Sequence, residues 1–279
     1  MREKYRIGLA QIHSSLGNVR YNLTKHLDYI DRAKENSVDI LVFPELSLTG
    51  YMMRDLSFEV SEICLKAVKE LERNAGKMSI LAGLVEEVRP GIYRNSLAII
   101  AGGRFSGFIP KLYLPNYGLF EESRYCSRGN AKDLKVFEHE GLKFSAVICE
   151  DAWHPEPIEL LSRKGAELIF IASSSPLRGL YGYGETFIER IWESIVITRA
   201  VENTAFIAFI NRVGAEDEEY FWGGSMVVGP DGKMLARAKK MEEELLLTDI
   251  DIHLLRRARR FSSFKDHMAE LHVHLSELP

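Results

Sequence analysis

Apolar and polar positions along the chain fall into two rhythms. "YRIGLAQI", near the start, alternates between them and reads as a strand. From Asn22 to Asn36, Leu23, Leu27, Ile30 and Ala33 recur at helical spacing. "VDILVFPE" is a continuous apolar run, the pattern of a strand buried on both faces. Ser57 is expected to cap a helix running to about Asn74, with Gly76 ending it. "MSILAGLVEEV" and "NSLAIIAGGRFSGFI" read as strands joined by tight turns, and "LKFSAVIC" as another strand. Pro155 to Lys164 reads as a helix, "AELIFIAS" as a strand, and Glu185 to Glu202 as an amphipathic helix. "TAFIAFIN", "GGSMVVGP", "KMLARAK" and "ELLLTDI" follow as strands, with "GPDGK" a hairpin turn between two of them.

Strands and helices interleave first, and strands dominate later. No Ser/Gly/Pro-rich linker, low-complexity tract or clear repeat divides the chain, so one α/β domain is expected over residues 1–252. Residues 253–279 are more polar and are expected to form a helix and tail, lying on the body or at a dimer contact.

Composition narrows the function classes. The chain has 279 residues, 46% of them hydrophobic, enough for a sizeable core. Its 36 basic and 40 acidic residues leave a formal charge of -4, which argues against an electrostatic nucleic-acid binder. Cys64, Cys126 and Cys149 form no CxxC pair and cannot all be bridged, so free thiols in a reducing compartment are expected. No signal core or membrane-length apolar segment is read, and the cytoplasm is the expected location.

Three apolar runs end in chemistry. "LVFPELSLTGY" delivers Glu45, "GFIPKLYLPNYGLFEESRY" delivers Lys111, and "SAVICEDAW" delivers Cys149. Strand ends in α/β proteins converge on clefts, so an acid, an ammonium and a thiol are offered to one site. A thiol of ordinary pKa, about 8.5, is mostly protonated at neutral pH and needs a base. Glu45 suits that role, and the Cys149 thiolate would attack an amide carbon to form a thioester. Lys111 and the backbone N–H of Glu150 would stabilise the oxyanion.

Glu45, Lys111 and Cys149, in the contexts "FPELSLTGY", "PKLYLPNYG" and "ICEDAW", resemble the Glu-Lys-Cys triad of the nitrilase (carbon–nitrogen hydrolase) superfamily. The resemblance runs through "FWGGSMVVGPDGK" and so covers nearly the whole chain. It implies a four-layer αββα sandwich that commonly pairs with a second subunit. It also implies a second glutamate, here Glu122, that orients Lys111 and substrate; the adjacent Glu121 is the alternative. "LPNYGLFEESRY" and "CEDAW" are most similar to the glutaminase domain of glutamine-dependent NAD synthetases. By that resemblance Tyr51, Tyr117 and Glu150 line a glutamine pocket. "ASSSPLRG" brings Ser174 and Ser175 to the pocket floor, in place of an Asn-x-Ser-Ala-Ser-Pro-like stretch. The acids after Cys149 favour an amide over a nitrile. The chain stops where a synthetase domain would begin and shows no SGGxDS-type ATP loop, so it is not expected to make NAD alone.

The expected reaction is cleavage of a primary carboxamide, from glutamine or a short ω-amide, with no cofactor or metal. The alternatives are an ammonia-supplying subunit acting with a separate synthetase, and a nitrilase or carbamoyl hydrolase of the same superfamily. Blander readings apply elsewhere. Cys64 and Cys126 read as inert, and Asp151 as structural. His154 lies close to Cys149 in sequence, but the Glu/Lys pair explains the site better. His272 and His274 lack a third ligand at usable spacing. "RRARR", from Arg256 to Arg260, reads as a solvated helix face.

Overall fold

The computed structural model describes residues 2–179 and 186–261, with Phe58 described in its backbone only. Two six-stranded sheets form its centre. The first contains β1 (Lys4–Gln11), β2 (Ile40–Val42), β3 (Ser79–Arg89), β4 (Ile92–Ala101), β5 (Arg104–Pro110) and β14 (Glu244–Asp251), in the order β14-β1-β2-β3-β4-β5. The second contains β6 (Phe137–His139), β7 (Leu142–Ile148), β8 (Leu168–Ser173), β9 (Phe206–Asn211), β12 (Met226–Val228) and β13 (Met234–Arg237), in the order β13-β12-β9-β8-β7-β6. A separate hairpin pairs β10 (Val213–Glu216) with β11 (Glu219–Trp222). The helices are α1 (Val19–Glu35), α2 (Ser57–Ala75), α3 (Glu122–Tyr125), α4 (Pro155–Arg163), α5 (Phe187–Asn203) and α6 (Ile252–Phe261).

Alternation along the strands builds the layers. On β1 and β3, Ile7, Leu9 and Leu81 face the second sheet and belong to one core cluster with it. Ala10, Ile80, Ala82 and Leu84 point the other way, against Ile30 and Ala33 of α1 and Cys64 and Leu71 of α2. Helices α4 and α5 cover the second sheet through Ile158, Leu161, Trp192 and Val196. This is the expected αββα order, and it buries both faces of each sheet.

Details depart from the sequence reading. Ser57 does not cap α2: it is the first helical residue, after a 3-10 turn over Arg54–Leu56, and its Oγ donates to the Arg54 carbonyl. Gly76 does end that helix, with φ +62°. Helix α5 begins at Phe187, after Thr186, whose N–H donates to Glu189; Glu185 lies outside the described residues. The hairpin β10–β11 and strand β6 are not predicted by the sequence pattern because each strand is only three or four residues long, too short to show a period. "RRARR" lies on α6 with its arginines exposed, while Ile252 and Leu255 anchor the helix to the core. His272 and His274 fall outside the described residues.

One buried histidine makes stability depend on pH. His26 is fully enclosed, stacks on Phe43 at 4.0 Å, and has its ring nitrogens against the Asn22 carbonyl and Ser47 Oγ. Burial pushes its pKa down to about 4. Between that value and the unfolded value near 6.5, the unfolded chain binds a proton that the fold does not. Stability from this group is therefore present above pH 6.5 and lost as pH falls toward 4, by about 3 kcal/mol. In His26→Leu the pH slope of unfolding free energy over that window should flatten, as read by denaturant titration. An unchanged slope would assign the titration to another group.

Candidate active site

Each candidate residue stands where a strand gives out. Glu45 follows β2 across Phe43–Pro44, and its backbone presses on β3 at Gly83. A Cβ at Gly83 would sit 2.1 Å from the Leu46 nitrogen and 2.5 Å from the Pro44 oxygen, so glycine is required for this approach. Lys111 follows β5 and stays strand-like, its N–H donating to Asn95 and its carbonyl accepting from Gly129. Cys149 follows β7 and opens a 3-10 turn, Cys149–Trp153, with φ +44°.

The structure brings these ends together. Lys111 Nζ donates to Glu45 Oε1 at 2.7 Å and to Glu122 Oε1 at 2.6 Å. Lys111 and Glu45 are fully buried, so each charge is tolerated only through its partners. Asn95 Nδ2 donates to Glu45 Oε1 at 2.8 Å, and the Ser174 N–H donates to Glu45 Oε2 at 2.8 Å. Tyr51 OH donates to Glu122 Oε1 at 2.5 Å. Glu122, not its neighbour, faces the lysine; Glu121 is exposed and lies 3.9 Å from Arg124. Ser173 Oγ donates to the Cys149 sulfur at 3.3 Å.

Electrostatics follow from this packing. Burial opposes charge on Lys111, but Glu122 and Glu45 outweigh it and hold the ammonium well above its ordinary range. Burial, then the Glu45 carboxylate, push the Cys149 thiol well up, and Lys111 only partly opposes them. The thiol therefore stays protonated at neutral pH unless a base accepts its proton. Burial also raises Glu122, against Lys111.

The remaining candidates divide. Tyr117 is half exposed, and its OH donates to Glu150 Oε2 at 2.8 Å. Tyr51 is buried, with its hydroxyl committed to Glu122. Ser174 and Ser175 are buried and engaged with protein: Ser174 Oγ donates to the Glu45 carbonyl, while Ser175 Oγ accepts from Trp192 Nε1. Asp151 is buried and bonded to three backbone N–H groups. A cavity of about 780 Å³ is lined by Tyr51, Asn95, Phe120, Glu122 and Cys126. Glu122 and Asn95 bring this cavity to the edge of the cluster.

Three residues were missed in sequence. Asn95 opens the apolar part of β4, and the strand-end rule extended to asparagine would have found it. Arg178 stacks over Phe120 at 4.1 Å and lies 5.9 Å from the Tyr117 ring; a lone loop arginine carries no signal. Glu216, on the unread hairpin, accepts from the N–H groups of Tyr51 and Met52 and pairs with buried Arg212. Cys64 and Cys126 are free thiols that burial pushes up to about 12. Asp39, His139 and Glu140 place ligand atoms close together, but the Arg2 guanidinium already pairs with both acids.

Residues 6–260 match the model of the carbon-nitrogen hydrolase family. The chain belongs to that family. It is similar to the glutamine-dependent NAD(+) synthetase of Aquifex aeolicus, 35% identical over 255 residues, covering 90% of this chain and 43% of the relative. This carbon-nitrogen hydrolase thus spans less than half the length of that relative. Among solved structures it is similar to an amidase from Nesterenkonia sp., with TM-score 0.81 and 26% identity over 99% of this chain and 98% of the other. A mutant of the amidase from Nesterenkonia sp. AN1, which shows Michael addition of acrylamide at its active site cysteine, superposes with TM-score 0.80 at 26% identity over 97% and 99% of the two chains. This carbon-nitrogen hydrolase is an enzyme that acts on C–N bonds. Among its described residues no helix is long and apolar enough to cross a membrane.

Proposed function

We propose that this hydrolase releases ammonia from the side-chain amide of glutamine, or of a closely similar ω-amide, through a thioester on Cys149. Glu45 accepts the thiol proton, and the sulfur attacks the amide carbon. Lys111, held by Glu122, and the Glu150 backbone N–H stabilise the oxyanion. The C–N bond breaks as Glu45 returns the proton to departing ammonia. Water, deprotonated by Glu45, then attacks the thioester carbon; the acid leaves and the thiol regains its proton. The strong upward push on the Cys149 thiol supports a base-assisted attack over a preformed thiolate.

The observation that carries the substrate assignment is the charge pair around Tyr117. Glu150 accepts its hydroxyl, and the Arg178 guanidinium lies 5.9 Å from its ring. An anion and a cation on one aromatic wall match the ammonium and carboxylate of an α-amino acid. Glutamine should give the highest kcat/KM in an ammonia-release panel with asparagine, succinamic acid and the glutamine analogue lacking its amino group. Glu150→Gln should raise KM for glutamine by roughly tenfold or more and leave the desamino analogue nearly unchanged. Activity on another amide, with glutamine inert, would discard this assignment.

A second reading is supply of ammonia to a separate synthetase, favoured by the similarity to NAD synthetases of which this chain spans 43%. It predicts little turnover alone and activity restored by an ATP-dependent synthetase recovered with the protein.

A further inference from the structure

Asp151 has no part in the chemistry above, yet it is fully buried. Its Oδ1 accepts from the N–H groups of Leu112 at 2.9 Å and Tyr113 at 2.8 Å. Its Oδ2 accepts from the Ile148 N–H at 3.0 Å. One carboxylate thereby joins the residue before Cys149 to the two residues after Lys111. Two further contacts hold the same parts. The Tyr113 ring stacks on His154 at 3.8 Å and 15°. Buried Arg199 donates to the carbonyls of Ala152 and Trp153 at the end of the Cys149 turn, each at 3.2 Å. Cys149 itself has φ +44°, a left-handed conformation that strains a non-glycine residue and persists where surroundings over-determine it.

We propose that Asp151 is a positioning residue whose carboxylate clasps the Cys149 turn to the Lys111 loop and so sets the thiol against the ammonium. The inference rests on the reading of Cys149 and Lys111 as the reacting pair. An acid is needed here because three N–H groups converge on two oxygens. Asparagine offers one oxygen and would turn an NH2 group toward a donor. Burial pushes Asp151 up to about 7 against those donors. Its N–H partners, rather than a salt bridge, hold it in place.

The test is Asp151→Asn, read by the rate of Cys149 alkylation with iodoacetamide at pH 8, resolved by mass spectrometry with Cys126 as internal control. Losing a negative charge alone would favour the thiolate and speed alkylation, whereas lost alignment slows it. The expected result is slowing of about tenfold or more at Cys149 alone, with kcat down about 100-fold and KM nearly unchanged. The same substitution in a Lys111→Ala background should add little, because the two act as a unit. Alkylation at the wild-type rate or faster, with full kcat, would overturn the proposal. If Asp151→Asn does not fold, Asp151→Glu keeps the charge but displaces the two oxygens from the three N–H groups; a several-fold slowing at Cys149 is expected, and a wild-type rate would overturn the clasp. Alkylation does not depend on the amide, so silence of the wild type on the substrate panel would count against the glutamine reading and leave this test intact.

Discussion

Cys149→Ala should eliminate turnover, by about 10⁴-fold or more in kcat, while the protein stays folded. Glu45 and Lys111 retain their places in this variant, but neither can form the acyl bond. The change removes a single heavy atom, the buried sulfur, which accepts one bond, from Ser173, in a residue 8% exposed. The cost in stability should therefore stay near 1 kcal/mol. The measurement is ammonia release beside intact-mass analysis after mixing with substrate. Wild type should show a transient mass gain on Cys149 and the variant none. Substantial turnover in Cys149→Ala would remove the thioester mechanism whatever the substrate.

Lys111→Met should abolish activity and also destabilise the fold. It leaves the Glu45 and Glu122 carboxylates buried beside one another without their shared cation. Breaking a buried pair in this way costs about 3–5 kcal/mol, and loss of the oxyanion partner about 10³-fold in kcat. The sign of the pH effect is specific. Burial already pushes Glu122 up against the opposing ammonium, and removing Lys111 lets it rise further. With a folded pKa above the unfolded value, the folded state binds the extra proton, so this contribution is present below the unfolded pKa and lost as pH rises through the folded one. Denaturant titrations should find Lys111→Met closest to wild type near pH 5 and furthest from it near pH 8. A constant gap across that range would mean that Glu122 is not governed by Lys111.

Much of this arrangement is legible in the amino-acid sequence. Glu45, Lys111 and Cys149 each end an apolar run, and such charges or thiols are tolerated there only if the strand ends open on something polar. Between adjacent acids the resemblance favoured Glu122 over Glu121, and a four-residue helix turns Glu122 toward Lys111. Ser174 and Ser175 appeared as pocket floor, but their polar groups are spent on Glu45, Asn211 and Trp192. Ser57 appeared as a cap, and the 3-10 turn ahead of it moved the helix start by one residue.

The amino-acid pattern alone determined that strands and helices interleave, where most strands end, and which three side chains stand at those ends. These are local properties: they depend on the two-residue and 3.6-residue periods of the backbone and on the cost of burying charge. Tertiary structure alone decided that Asn95 and the Ser174 N–H hold Glu45, that a hairpin delivers Glu216 to the Tyr51 loop, and that Asp151 ties the Cys149 turn to the Lys111 loop. Those contacts join residues far apart in the chain. They exist because β7 and β8 pair in parallel with Ile148 opposite Ala172, and because Gly83 lets the Glu45 backbone lie against β3. Register and close approach are set by the whole packed sandwich, and no short stretch of sequence carries them.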